Sequence, residues 1–157
     1  MIASRAQLTL VQVREFQAED FDAAYRLDQA CYPPGIAYSR YALREFLGAP
    51  GARAWVAEEE SQLVAFIIVR KVGAGRGHII TLDVREDRRR RGLGTELLRT
   101  AEAWLAEQGV KRVRLETATD NAAAVTFWQR AGYATVAHLQ RYYLAQQDAY
   151  RMEKDLG

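Results

Sequence analysis

The chain has 157 residues, 49% of them apolar and 27% charged, and a formal net charge of +2. That length suits one domain with a substantial core, and so small a charge argues against nucleic acid as the main partner. No apolar run approaches the length of a bilayer span and the first residues do not make a secretory signal, so neither a membrane partner nor export is expected. Cys31 is the only cysteine, which excludes an internal disulfide and suits a reducing, cytoplasmic setting with a structural role for the thiol. His78 and His138 are too few for a histidine-based metal site, and no Cys/His spacing suggests zinc, so no metal is expected.

Leu8 to Val13 alternates apolar and polar residues as an edge or half-buried strand would. Asp20 to Ala30 places Phe21, Ala24, Tyr25 and Leu27 at helical spacing with Asp20 as a cap, and Tyr32-Pro33-Pro34-Gly35 breaks that helix. A short helix from Ser39 to Leu47 follows. Ala54 to Glu58 and Leu63 to Val69 read as strands joined by the polar turn Glu59-Glu60-Ser61-Gln62. The glycine-rich stretch from Gly73 to Gly77 turns the chain into another strand, His78 to Val84. A helix runs from about Leu93 to Gln108 with Gly109 at its C-terminal cap, on a stripe of Leu93, Leu97, Leu98, Ala101, Trp104 and Leu105. Lys111 to Thr117 is a strand, Asn121 to Ala131 a helix ended by Gly132, and strands near Ala134 to Leu139 and Ala149 to Lys154 close the chain. With no repeat and no low-complexity linker, residues 1–157 read as a single α/β domain with a mixed sheet.

The junction between the His78–Val84 strand and the helix after it carries Arg88-Arg89-Arg90-Arg91-Gly92-Leu93-Gly94-Thr95. A helix N-terminus presents unpaired N–H groups and partial positive charge, so arginines packed there are unfavourable unless an anion binds. Gly92 and Gly94 leave room for an anion to reach the backbone, and the local basicity suits one anionic ligand. The junction matches neither a Walker-type loop nor a dinucleotide fingerprint.

Arg89-Arg90-Arg91-Gly92-Leu93-Gly94 resembles the acyl-CoA loop of the GNAT superfamily of acetyltransferases, Arg/Gln-x-x-Gly-x-Gly/Ala. The run from Asn121 to Tyr133 is similar to that family's second motif. Arg141-Tyr142-Tyr143 and Asp148 to Met152 resemble the end of the protein N-terminal acetyltransferases, among them the ribosomal-protein-alanine acetyltransferases. The resemblance covers about half the chain, from roughly Thr81 to Leu156. It implies a GNAT-type fold, a mixed and mostly antiparallel sheet of about seven strands flanked by about four helices. It also implies acetyl-CoA as co-substrate and an amine acceptor.

By the same resemblance, the backbone of Arg90 to Thr95 holds the pyrophosphate, with Arg89, Arg90 and Arg91 around it. The Leu82-Asp83-Val84 segment lies at the pantetheine arm, with the backbone of Leu82 and Val84 pairing with it and the Val84 N–H facing the thioester oxygen. Asn121 caps its helix and, by resemblance, also contacts the cofactor. Glu116 stands at the family's general-base position, acting through water; the competing reading is an ion pair with Arg112 or Arg114. Trp128 occupies a position usually held by a tyrosine that protonates the leaving thiolate. An indole can donate a hydrogen bond but is no acid, so Trp128 either packs in the core or hydrogen-bonds the thiolate, with Tyr142 and Tyr143 as replacement acids. Tyr142 and Tyr143, facing the Tyr32-to-Tyr38 loop, resemble the two sides of a peptide-end groove. The implied activity is N-acetylation of a primary amine, foremost a protein N-terminus. A small-amine acetyltransferase and a non-catalytic acyl-CoA-binding module remain as alternatives.

Overall fold

The computed structural model describes residues 10–144 and 146–157. Seven strands form one sheet: β1 Val11–Glu15, β2 Ala52–Glu59, β3 Gln62–Gly73, β4 Arg76–Val84, β5 Arg112–Ala118, β6 Ala134–Leu139 and β7 Ala149–Asp155. Their order is β1-β2-β3-β4-β5-β7-β6, and every neighbouring pair is antiparallel except β4 and β5. Four α-helices, α1 Phe21–Cys31, α2 Arg40–Gly48, α3 Leu93–Glu107 and α4 Ala122–Arg130, cover its two faces.

The near-continuous apolar run of β3 follows from that coverage. Val64 to Val69 are all fully buried because helices lie on both sides of the strand. On one face Ala65, Ile67 and Val69 pack with Leu97, Ala101 and Leu105 of α3 and with Trp128 of α4. On the other, Phe66 and Ile68 pack with Ala24 and Leu27 of α1 and Leu43 of α2. The hairpin between β2 and β3 turns on Glu60 and Ser61, both at positive φ.

Two irregularities in β4 set up everything beyond it. Ile68 pairs with Thr81 but Val69 pairs with Ile79, so Ile80 is an extra residue, a bulge. The bulge puts Ile79 and Leu82 with the α3 core and Ile80 with the α1/α2 core. The parallel pairing of β4 with β5 then stops almost as it starts: residues 76–78 pair with residues 112–114 and no further.

Helix and strand identities follow the sequence pattern, with ends shifted by no more than four residues, the largest shift being the C-terminal end of β3. The expected first strand, Leu8 to Val13, begins outside the described residues, and the observed β1 continues to Glu15. Asp20 does not cap α1. Its carboxylate accepts from the Gln17 N–H (2.8 Å) and both guanidinium nitrogens of Arg14 (2.8 and 2.9 Å), closing a 3-10 turn, Ala18–Asp20, before the helix. Ser39 caps α2 through Ala42 N–H, and Asn121 caps α4 through Ala124 N–H, each at 3.1 Å. Among the described residues no helix is long and apolar enough to cross a membrane.

Phe66 is fully buried at the centre of the sheet. Phe66→Ala is expected to cost about 3–5 kcal/mol in urea unfolding, since the two-sided packing leaves little freedom to collapse around the cavity.

Candidate active site at the parting of two strands

Where β4 and β5 separate, the sheet opens. Arg85 N–H is given to Val64 O at 2.8 Å, so Arg85 faces β3. Groups alternate along a strand, so the backbone of Val84 and Leu82 faces the gap. The gap leads into a cavity of about 1630 Å³, larger than the roughly 300–1,000 Å³ of an ordinary small-molecule pocket. Its walls are β4, β5, the α1–α2 connection and the N-termini of α3 and α4.

At the mouth, α3 begins with Gly92 at φ +82° and Arg90 at φ +65°. The first N–H bonded back to the turn is that of Glu96, on Gly92 O at 3.0 Å, so those of Leu93, Gly94 and Thr95 are left at the helix end. A Cβ on Gly92 would meet nothing within 4 Å, whereas one on Gly94 would meet the Phe127 ring at 3.3 Å. Gly92 thus keeps open the space in front of those N–H groups, and Gly94 lets α3 pack against α4.

The four arginines divide. Arg88 is bound to Glu59 and Asp87, and Arg89 donates from Nε to Val84 O at 3.0 Å. Arg90 and Arg91 have no hydrogen bond or ion pair with another described residue. Leu82, Val84, Arg89, Arg90, Gly92, Leu93, Gly94, Thr95 and Asn121 border the cavity; Arg91 does not. Neither does Asp83, whose backbone pairs with Phe66 of β3 and whose side chain is 1% exposed. Its side chain turns instead toward Asp28 of α1 and the Thr81 hydroxyl.

Deeper in, Glu116 of β5 borders the cavity with its side chain only 5% exposed. Its Oε1 lies 2.7 Å from His78 Nε2, and its Oε2 takes Arg151 Nε at 3.0 Å and lies 3.4 Å from Arg114 Nε. Burial pushes this carboxyl up, but His78, Arg151 and Arg114 together outweigh burial and lower it to about 2. Glu116 is therefore ionised at any working pH. Arg114 is a partner, as the strand spacing suggested; Arg112 instead joins Glu153 and Asp155. His78 and Arg151 come from β4 and β7, and sequence reasoning missed both. His78 was detectable only through the parallel register that sets residue 78 beside residue 114.

The aromatic residues separate as well. Trp128 is 7% exposed and packs edge-to-face on Phe127 (5.0 Å) and Tyr133 (5.4 Å), yet it also borders the cavity. Tyr133 gives its hydroxyl to Glu102 at 2.7 Å. Tyr142 and Tyr143 stand edge-to-face at 5.0 Å; Tyr143 borders the cavity and Tyr142 lies outside its wall, half exposed. Tyr32 and Tyr38 border it from the opposite side, but their hydroxyls are already engaged, on Leu82 O (3.1 Å) and Ile80 O (3.2 Å). Their rings, not their hydroxyls, remain for an acceptor.

Gly92→Ala places a methyl in the open space before the helix end and strains the turn. A folded variant is expected to bind acetyl-CoA roughly tenfold more weakly by isothermal titration calorimetry, the loss of about 1.4 kcal/mol. Unchanged affinity would move the coenzyme away from this turn.

A strand pair that parts, a helix N-terminus behind Arg-x-x-Gly-x-Gly and a wide cavity between them have counterparts among known proteins. Residues 21–133 match the model of the Acetyltransferase (GNAT) family. The chain is 31% identical over 118 residues to N-alpha-acetyltransferase 30 of Schizosaccharomyces pombe, covering 73% of this chain and 79% of that one. An N-alpha-acetyltransferase of Sulfurisphaera tokodaii is 27% identical over 157 residues, covering 92% and 93%. Among solved structures, Ard1 from Thermoplasma volcanium superposes with a TM-score of 0.86 at 27% identity, covering 94% of this chain and 98% of that one. The order of the strands, the loop before α3 and these matches agree: the chain belongs to the GNAT family and is an acetyl-CoA-dependent N-acetyltransferase.

Proposed function

We propose that this enzyme acetylates the α-amine of protein N-termini and that Glu116, coupled to His78, manages the proton of the attacking amine. The observation that carries this reading is the 2.7 Å contact that His78 makes with Glu116, the carboxylate that borders the cavity. A carboxylate held near 2 is too weak a base to strip an ammonium ion of pKa about 7.7–8.0 in one step. It is well suited to fixing the imidazole of His78 and to polarising a water between the couple and the amine. The backbone of Leu82 and Val84 aligns the pantetheine arm, the Val84 N–H faces the thioester oxygen, and the N-terminal turn of α3 with Arg90 takes the pyrophosphate.

The acceptor class rests on two supports. Tyr143 and residues of the Tyr32-to-Tyr38 segment line the same cavity, whose volume of about 1630 Å³ has room for a peptide end beside a coenzyme. The curated relatives compared above carry the name N-alpha-acetyltransferase. An acceptor panel of peptides with varied first residues, set against polyamines and free amino acids, tests the class by CoA release. Turnover confined to the small amines would overturn it, and acetyl-CoA binding without any turnover would make the chain a sensor.

Glu116→Gln is expected to keep acetyl-CoA affinity while lowering kcat by roughly 100-fold or more, most visibly on the acid side where the amine is largely protonated. Equal turnover by the variant and the parent from pH 6 to 9 would remove Glu116 from the mechanism.

Trp128 stands where the family's phenol does, with its ring packed and its edge at the cavity. If thiolate departure limits the rate, Trp128→Tyr is expected to raise the single-turnover rate, by no more than the roughly 10²–10⁴-fold that acid catalysis supplies. Tyr142→Phe and Tyr143→Phe then show whether either hydroxyl already does that work. No effect from any of the three would make Trp128 a core residue only.

A further inference from the structure

An aspartate in the middle of an apolar strand, Ile79-Ile80-Thr81-Leu82-Asp83-Val84, conflicts with its surroundings. Asp83 is 1% exposed, and beneath it Asp28 of α1 is fully buried. The Asp28 carboxyl lies near enough to Asp83 to disfavour its charged form. Asp83 Oδ1 also accepts from the Thr81 hydroxyl at 2.6 Å, and Asp28 Oδ2 accepts from the Tyr38 N–H at 2.7 Å. The remaining oxygens, Asp83 Oδ2 and Asp28 Oδ1, are buried with no other partner. Two neighbouring buried carboxylates repel each other, and a single proton held between them relieves that repulsion.

Around this pair, three side chains from α1 and the segment after it reach the same strand. Tyr38 donates to Ile80 O (3.2 Å), Tyr32 to Leu82 O (3.1 Å) and Cys31 Sγ to Val84 O (3.5 Å). Leu82 and Val84 are the residues whose backbone faces the gap.

We propose that Asp28 and Asp83 are positioning residues: a carboxyl pair sharing one proton pins α1 and the Tyr32-to-Tyr38 segment to β4, and so holds the open strand edge in register for acetyl-CoA. This rests on the reading of that edge as the pantetheine site. The proton has a single covalent home, the Asp83 carboxyl, from which it is donated to Asp28. Burial chiefly, and Asp28 beside it, raise Asp83 far above the usual carboxylate range; the Thr81 hydroxyl and Arg89 oppose this less strongly. The other groups facing the pair add no competing carboxylate. Cys31, pushed to about 11 by burial, and the buried phenols Tyr32 and Tyr38, also pushed up by burial, stay protonated donors. Arg89, whose guanidinium lies 3.7 Å from Cys31 Sγ, is the cation on that side.

A group whose folded value is raised contributes stability that is complete below its unfolded value, about 3.9, and is lost as pH rises toward the folded one. An amide in its place keeps a donor to Asp28 without that dependence. The test compares the parent, Asp83→Asn and Asp83→Val. Asp83→Val, which leaves Asp28 without its donor, is expected to raise the acetyl-CoA KM by roughly tenfold, the scale of one buried hydrogen bond, with a smaller change in kcat. Asp83→Asn is expected to restore most of that loss. The gap in Tm between Asp83→Asn and the parent should widen in favour of the amide from pH 5 to 9. An infrared band of a buried carboxylic acid should be present in the parent at pH 7 and absent from Asp83→Asn. A missing band, or a Tm gap that does not change with pH, overturns the shared proton. An unchanged KM in Asp83→Val, or a fall in kcat alone, overturns the positioning role. The infrared and melting measurements need no turnover, and calorimetry can replace KM. Failure of the pair therefore stays distinct from failure of the acetyl-transfer site.

Discussion

Two parallel strands that pair for three residues and then part are the constraint on which this molecule is organised. Within a sheet, unpaired strand edges are costly because each exposed N–H and C=O must find a partner. Here no strand pairs with the far part of the β4 edge in the middle of the sheet, and its carbonyls at Ile80, Leu82 and Val84 accept instead from the side chains of Tyr38, Tyr32, Cys31 and Arg89. That arrangement holds only because the rest of the fold fixes both banks. β3 locks β4 from one side, β7 locks β5 from the other, and the helices close the sheet above and below. The N-terminus of α3, with its unpaired N–H groups, opens onto the same cavity.

The electrostatics follow a similar division. Positive charge concentrates at the turn before α3, but two of its four arginines are already committed, Arg88 to carboxylates and Arg89 to a backbone carbonyl. On β5 and β7 the charges interlock: Glu116 with Arg114 and Arg151, Arg112 with Glu153 and Asp155. Arg151 therefore supports the ionised state of Glu116 without bordering the cavity. The protein keeps one carboxylate charged beside the gap and one carboxyl neutral beneath it, by opposite means: cations around Glu116, burial and a second acid around Asp83.

The sequence declared its elements clearly because their periodicities are unmixed. The stripe on α3, the apolar run of β3 and the cap at Asn121 all depend on local pattern, and all have their expected structural counterparts. The glycine turn that opens α3 was equally legible, since Arg-x-x-Gly-x-Gly is a contiguous signal. Hidden from it were the features made by long-range register. His78 meets Glu116 only because β4 and β5 run parallel from residues 76 and 112. Asp83 is removed from the gap by alternation on a strand whose bulge cannot be read from composition. Tyr32 and Tyr38 look like peptide ligands in a linear reading, yet their hydroxyls are taken by β4. The one local clue to the hidden part was chemical inconsistency, an acid within a strand otherwise built to be buried.

The extra residue at Ile80 makes chain length in β4 as consequential as chain chemistry. On both sides of it the faces are set by pairing with β3, with β5 adding to this only for residues 76–78. Loss or gain of a single residue between Ile79 and Leu82 would leave every side chain chemically intact, but would turn Leu82 toward α1 and Asp83 toward the α3 core. The spacing of this segment is thus a constraint separate from the chemistry of its side chains, and a one-residue change would misplace both of its faces at once.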